Sequence, residues 1–235
     1  MLEQLKIDVC RANLELVTRG LIIQTFGNVS GIDRASGHAV IKPSGVDYAN
    51  MKPEDMVVVS LASGEVVEGC LRPSSDTPTH LVLYRAFPSI GGIVHTHSVY
   101  ATAWAQALCE IPALGTTHAD YCYGPICCTR LLTAEEIAGD YEANTGRVIV
   151  ERLGKMAADS CPGVLVASHG PFAWGSSATD ALDHAEVLEY LARLASETIR
   201  INPSIGPMQQ TLLDKHFFRK HGSTATYGQR KPGCN

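Results

Sequence analysis

His95-Thr96-His97 is the densest chemical signal in this chain. Two histidines two apart on an extended strand project from the same face, so their imidazoles can share one metal ion. A pair is not a site, and further donors are needed. Asp76, just ahead of Pro78, and His169, just before Gly170-Pro171, stand at comparable strand-end or helix-start punctuation. Three neutral imidazoles and one carboxylate would suit Zn2+ or a similar divalent ion and leave it net positive, hence a Lewis acid. The plain alternative is that each histidine is only a partly buried polar residue.

Three segments hold the materials of an anion cradle, namely glycine, hydroxyls, backbone amides and a lysine. They are Gly27-Asn28-Val29-Ser30, Lys42-Pro43-Ser44-Gly45 and Pro73-Ser74-Ser75-Asp76. Gly-Asn and Ser-Gly are also ordinary turn pairs, and only Ser74 and Ser75, which precede a helix start at Pro78, carry a specific anion argument. Arg219-Lys220-His221 is a fourth anion candidate, or a solvated basic patch. Acid and base candidates are Asp120, Tyr227, His118, His216 and Glu142, which spacing alone does not rank.

The elements that must position these groups alternate. Residues 2–19 place Leu2, Leu5, Val9, Ala12 and Leu16 at helical spacing, and Gly20 stands at the C-cap. Short β-branched runs at 39–42, 56–61 and 65–68 predict strands, the last two joined by a Ser63-Gly64 turn. A short helix is expected over 78–87, a strand over 90–97 and a helix over 98–109. Thr133 and Glu136 form a capping box for a helix ending near Gly146. Strands are then expected at 147–152, 163–168 and 171–174, a long amphipathic helix from about Thr179 to Arg200, and a last helix over 207–215. The polar stretch from His216 onward lacks periodicity and reads as frayed. Several strand pairs are joined by turns too short for a parallel crossover, so the expected fold is α/β, a largely antiparallel sheet covered by helices.

Composition bounds the rest. The 235 residues carry a net charge of -5, 45% are hydrophobic, and the mean hydropathy is +0.03, all ordinary for a globular chain. One domain of this size buries a sizeable core without staples. Basic residues are scattered, which argues against nucleic-acid binding. No apolar run approaches the roughly 20 residues needed to span a bilayer. The N-terminus has a helical pattern rather than that of a secretory signal, so a cytoplasmic location is expected. The eight cysteines lack paired metal-binding arms and are expected to be reduced, small buried side chains.

Taken together, GNVSG (27–31), IKPSGVDY (41–48), PSSDTPTH (73–80), GGIVHTHS (91–98), GTTHADY (115–121), SHGPFAWG (168–175), MQQTLLDKHFFRKHG (208–222) and TYGQ (226–229) resemble the class II aldolase/epimerase family. The resemblance spans residues 1–229 as one domain and implies a three-layer α/β/α fold. It also implies a homotetramer with active sites at subunit interfaces. Under it Asp76, His95, His97 and His169 are metal ligands, most commonly of Zn2+, with Mn2+ or Co2+ as alternatives. Gly27, Asn28, Lys42, Ser44, Gly45, Ser74 and Ser75 contact the substrate, and His216 and Arg219 reach an active site at the subunit boundary. Asp120 and Tyr227 form an acid/base pair.

The implied activity is interconversion of L-ribulose 5-phosphate and D-xylulose 5-phosphate by retro-aldol cleavage, rotation of the aldehyde and re-addition. A sugar-phosphate aldolase of the L-fuculose-phosphate type is the alternative, and a non-catalytic binding protein a more distant one. In the aldolases a glutamate stands where this chain has Asp76. Whether the step serves L-arabinose, L-ascorbate or related pentose breakdown is left open. Two departures stand out: the stretch around Met156–Cys161 is about two residues short, and residues 230–235 continue as an extension expected to be disordered.

Overall fold

A computed structural model describes residues 2–154, 160–221 and 225. Tyr227, the shortened stretch apart from Ser160 and Cys161, and the 230–235 extension lie outside the described residues.

The centre is a seven-stranded sheet built from β1 (Asn28–Asp33), β2 (His38–Ile41), β3 (Val57–Ser60), β4 (Val66–Glu68), β5 (Gly92–His95), β6 (Gly163–Val166) and β7 (Gly170–Gly175). The order is β4-β3-β2-β1-β5-β7-β6, and every neighbouring pair is antiparallel. Helices α1 (Leu2–Thr18) and α7 (Ala178–Ile201) cover one face, and α2 (Thr77–Ala86) and α6 (Tyr141–Leu153) the other. The strands alternate between the two cores, as a period of two requires. Val57, Val59 and Ile93 face α2 and α6, whereas Val58, Val40 and Val94 face α1 and α7. A third apolar cluster gathers α3 (Val99–Gln106), α7 and the loop around Ile111, Cys122 and Ile126. The expected three-layer, predominantly antiparallel fold is therefore present.

Four sequence expectations need correction. Residues 147–152 are not a strand, and Gly146 does not end a helix. After the capped turn α5 (Ala134–Ala138), α6 runs through both. Val148, Ile149 and Val150 have strand propensity, but Thr145, Val148 and Ile149 form a buried helical stripe against α2, so packing overrides propensity. Gly146 serves close approach: a Cβ there would sit 2.7 Å from Val82 Cβ and 3.1 Å from the Thr79 carbonyl oxygen. Gly146→Ala is thus expected to destabilise the fold by about 1–3 kcal/mol, since overpacking outweighs the better helix propensity of alanine. A denaturant titration that finds Gly146→Ala as stable as the parent would exclude this.

Residues 28–33 form a full strand, although Gly27–Ser30 reads as a loop in the sequence. The last helix, α8 (Gln210–His221), continues well beyond 215 and carries His216 and Arg219. Finally, the cysteines are not all isolated thiols. Cys122 and Cys161 are joined as a disulfide, their Cα atoms 4.3 Å apart, and Cys70 and Cys109 are exposed rather than buried, whereas Cys10, Cys127 and Cys128 are buried and free as expected.

Candidate metal centre and active site

The sheet delivers three histidines to one point. His95 ends β5, and His97 follows two residues later on the same side. His169 sits at the tip of the β6–β7 hairpin, where Val166 pairs with Gly170. That tip is tight enough to force Ser168 into the left-handed region at φ 58°, which costs a non-glycine residue about 1 kcal/mol or more. Candidate ligand nitrogens of His95, His97 and His169 all lie within 4.8 Å of one another. His95 Nδ1 donates to the Pro171 carbonyl at 3.0 Å, which leaves the Nε2 lone pair for a ligand. That Nε2 lies 3.1 Å from His97 Nε2.

Burial keeps these rings neutral. It pushes His95 down to about 3, with Asp76 pulling the other way and the neighbouring His169 and His97 adding to the fall. His97 and His169 are also lowered, again chiefly by burial. His169 Nδ1 is buried without a hydrogen-bond partner. Converging lone pairs, enforced neutrality and an unpartnered ring nitrogen together fit a divalent cation.

Asp76, at the start of α2, lines the same cavity but does not belong to the three-histidine cluster. Its Oδ2 accepts a hydrogen bond from Asn28 Nδ2 at 2.6 Å. Burial opposes its charge, but His95, His80 and the Asn28 amide outweigh that and hold its carboxyl below the usual range.

The cavity has a volume of about 380 Å3. All three cradle segments reach it, through Gly27, Asn28, Lys42, Ser44, Gly45, Ser74 and Ser75. The second and third are stitched together by backbone bonds, Ser74 N–H to the Lys42 carbonyl and Ser44 N–H to the Arg72 carbonyl. Gly27 is required as glycine: it has φ 112°, and a Cβ would lie 3.0 Å from the His95 carbonyl oxygen. Lys42 is the cavity's buried cation, 2% exposed. Burial lowers its pKa, and its ammonium sits 4.7 Å from the Tyr48 ring centroid. The Tyr48 hydroxyl in turn donates to the Gly27 carbonyl, so one aromatic residue braces two cradle segments. Glu142 also lines the cavity, as does Tyr141, which sequence reasoning did not single out.

The remaining candidates are elsewhere. Asp120 follows α4 (Thr116–Ala119) and accepts from His216 Nδ1 at 3.0 Å and from Arg219 at 3.1 Å, with Lys220 at 3.6 Å. This cluster faces a second cavity that also touches Ile90, Trp174 and Gly175. Ile90 precedes His95 by five residues along the β5 path, roughly 16 Å, so Asp120 lies at the opposite end of the sheet from the triad. His118 is a structural residue whose Nε2–H donates to the Gly124 carbonyl at 2.7 Å.

Burial alone would raise the Asp120 pKa, but His216, Lys220 and Arg219 together depress it. A depressed carboxyl contributes stability that is present above its unfolded value, near 3.9, and is lost as pH falls through the folded one. Hydrogen exchange in α8 is therefore expected to rise at acidic pH before exchange in the central sheet does. Simultaneous loss of both would show that Asp120 does not hold α8.

Comparison with known proteins agrees with this geometry. The family model described as Class II Aldolase and Adducin N-terminal domain matches residues 7–196. The chain is 56% identical over 229 residues to the L-ribulose-5-phosphate 4-epimerase UlaF of Salmonella paratyphi B and to that of Salmonella typhi, covering 97% of this chain and 100% of each relative. An L-fuculose 1-phosphate aldolase structure superposes with a TM-score of 0.76 at 26% identity, over 91% of this chain and 94% of that one. No described helix is long and apolar enough to cross a membrane.

Proposed function

Since the chain belongs to the class II aldolase and adducin N-terminal domain family, we propose that it is an enzyme, a metal-dependent 4-epimerase that interconverts L-ribulose 5-phosphate and D-xylulose 5-phosphate. The observation that carries this reading is the convergence of His95, His97 and His169 in a cavity walled by Lys42, Ser44, Ser74 and Ser75. The likeness to the two Salmonella epimerases along nearly the whole chain supports it.

The substrate dictates the chemistry. With the ketone at C2, the C3 proton is acidic, but the C4 proton is one carbon too far away to leave as part of an enolate. Inversion at C4 therefore proceeds by breaking C3–C4, turning the aldehyde and re-forming the bond. His95, His97 and His169, joined by Asp76, would hold the divalent ion, Zn2+ being the best match to three imidazoles and a carboxylate. When bound, that ion supplies a Lewis acid that stabilises the charge developing at C2 and C3.

The chain's own groups do the rest. Ser44, Gly45, Ser74, Ser75 and the Lys42 ammonium anchor the phosphate, so the glycolaldehyde phosphate fragment rotates without escaping. Gly27 and Asn28 bound the sugar. One residue of the Asp120 and Tyr227 pair removes the C4 hydroxyl proton on one face, and the other returns a proton on the opposite face. Because Asp120 lies far from its own triad, it serves the triad of a neighbouring subunit in a homotetramer. His216 and Arg219 orient it and hold its carboxylate charged. An aspartate at 76, one methylene shorter than glutamate, suits a ligand that stays put rather than a proton carrier, which favours the epimerase over an aldolase.

The test is conversion of L-ribulose 5-phosphate by metal-loaded and chelator-stripped protein, with trapping of free glycolaldehyde phosphate. Metal-dependent D-xylulose 5-phosphate with little trapped aldehyde is expected. Aldehyde that accumulates without epimer would make the protein an aldolase.

A further inference from the structure

Beneath the cavity, β1 and α2 are joined by two polar rungs. Asn28 and Ser30 alternate with Val29 and so share the face of β1 turned toward α2. The first rung is Asn28 Nδ2 to Asp76 Oδ2. The second is Ser30 Oγ to His80 Nδ1 at 2.7 Å, and Ser30 Oγ also meets the Tyr84 hydroxyl at 2.8 Å. All three members of this second rung are in the core, Ser30 and Tyr84 at 0% exposure and His80 at 1%. Its far end is open, because His80 Nε2 is buried and has no hydrogen-bond partner.

The direction of the chain follows from its donors. Among the described side chains the Tyr84 hydroxyl meets Ser30 alone, so its own hydrogen is directed there. Ser30 then donates to His80 Nδ1, and the ring hydrogen must reside on Nε2. A buried donor without an acceptor is costly and calls for a function. His80 lies one turn after Asp76, and helical side chains lean toward the N-terminus, which carries the imidazole back over the turn that begins at Asp76. The Asp76 carboxylate has one oxygen on Asn28 and a second oxygen to place.

We propose that His80 is a positioning residue of the metal centre: its Nε2–H, the free end of the Tyr84–Ser30–His80 chain, becomes the donor that fixes the Asp76 carboxylate when that carboxylate turns to ligate an ion beside the histidine triad. The inference rests on the reading of Asp76 as the fourth ligand. His80 does not touch substrate and acts through Asp76 alone. Phe172 packs between the two rings, stacked on His95 at 4.2 Å between centroids and edge-on to His80 at 6.0 Å.

Two substitutions separate the nitrogens. His80→Gln places an amide donor near the Nε2 position and gives up Nδ1, whereas His80→Asn keeps a partner near Nδ1 and gives up Nε2. Zinc affinity by chelator competition and the visible spectrum of the Co2+ form are the readouts, with Asp76→Ala as reference. His80→Asn is expected to weaken zinc binding about 10–100-fold, the usual cost of losing an outer-shell partner, and to alter the Co2+ spectrum. His80→Gln should stay within about threefold of the parent. If Asp76→Ala weakens binding but His80→Asn does not, or if both His80 variants lose equally, the role of His80 is overturned while the ligand reading stands. Unchanged zinc affinity in Asp76→Ala removes both. In the unmutated protein, 15N chemical shifts must place the His80 hydrogen on Nε2, and a hydrogen on Nδ1 overturns the inference without any variant.

Discussion

Replacing His97 with alanine is expected to lower kcat for L-ribulose 5-phosphate at least about 10³-fold and to abolish tight zinc binding. The triad's ion is assigned several kcal/mol of charge stabilisation at C2 and C3, and about 4 kcal/mol corresponds to that factor. His97 is half-buried and lies in the cavity, so its removal leaves the sheet intact, and thermal melting of the metal-free variant should match that of the metal-free parent. Chelation of the parent should reproduce the loss, and added Zn2+ should reverse it in the parent only. A His97→Ala enzyme that turns over within tenfold of the parent would rule out the triad as the reacting centre.

The second large effect concerns Asp120. Asp120→Asn should cost about 10²–10⁴ in kcat, the range of a lost acid or base, while zinc affinity stays at the parental value. The two defects should also complement each other. Under the proposed homotetrameric assembly, an intact site in mixed tetramers of His97→Ala and Asp120→Asn chains needs an unmutated triad on one subunit and an unmutated Asp120 on its neighbour. Each condition holds half the time, so about a quarter of sites recover in a cyclic arrangement. Two nearly inactive preparations should therefore become active after co-expression. Their failure to do so, with mixed tetramers confirmed by mass, would place both groups in one subunit's site or remove Asp120 from the reaction.

The candidate site was legible in the sequence where residue type and local spacing define it. His95 and His97 are fixed by strand alternation, and Ser74 and Ser75 by the proline that starts α2. The fold class followed from strand connections too short for crossovers. What escaped was decided by packing between distant segments. Val148–Val150 reads as strand in isolation and becomes helix because α2 presents Val82 and Thr79 to Gly146. Residues 28–33 look like a polar turn because their hydrogen bonds come from β2 and β5 on either side. The Cys122–Cys161 contact joins positions 39 residues apart. His216 and Arg219 of α8 find their partner in Asp120, about a hundred residues upstream, and the second rung at His80 emerges only once β1 lies against α2.

The left-handed Ser168 sets a compromise between durability and aim. Two of the three imidazoles ride on or just beyond the middle of the sheet, but His169 is presented by a hairpin tip held in a conformation that serine disfavours. Glycine at 168 would relax that tip in the folded chain while adding freedom to the unfolded one. It would also free the neighbouring ring to wander. Relief of backbone strain and aim of the third imidazole therefore pull this one residue in opposite directions, and serine holds the aim at the expense of the strain.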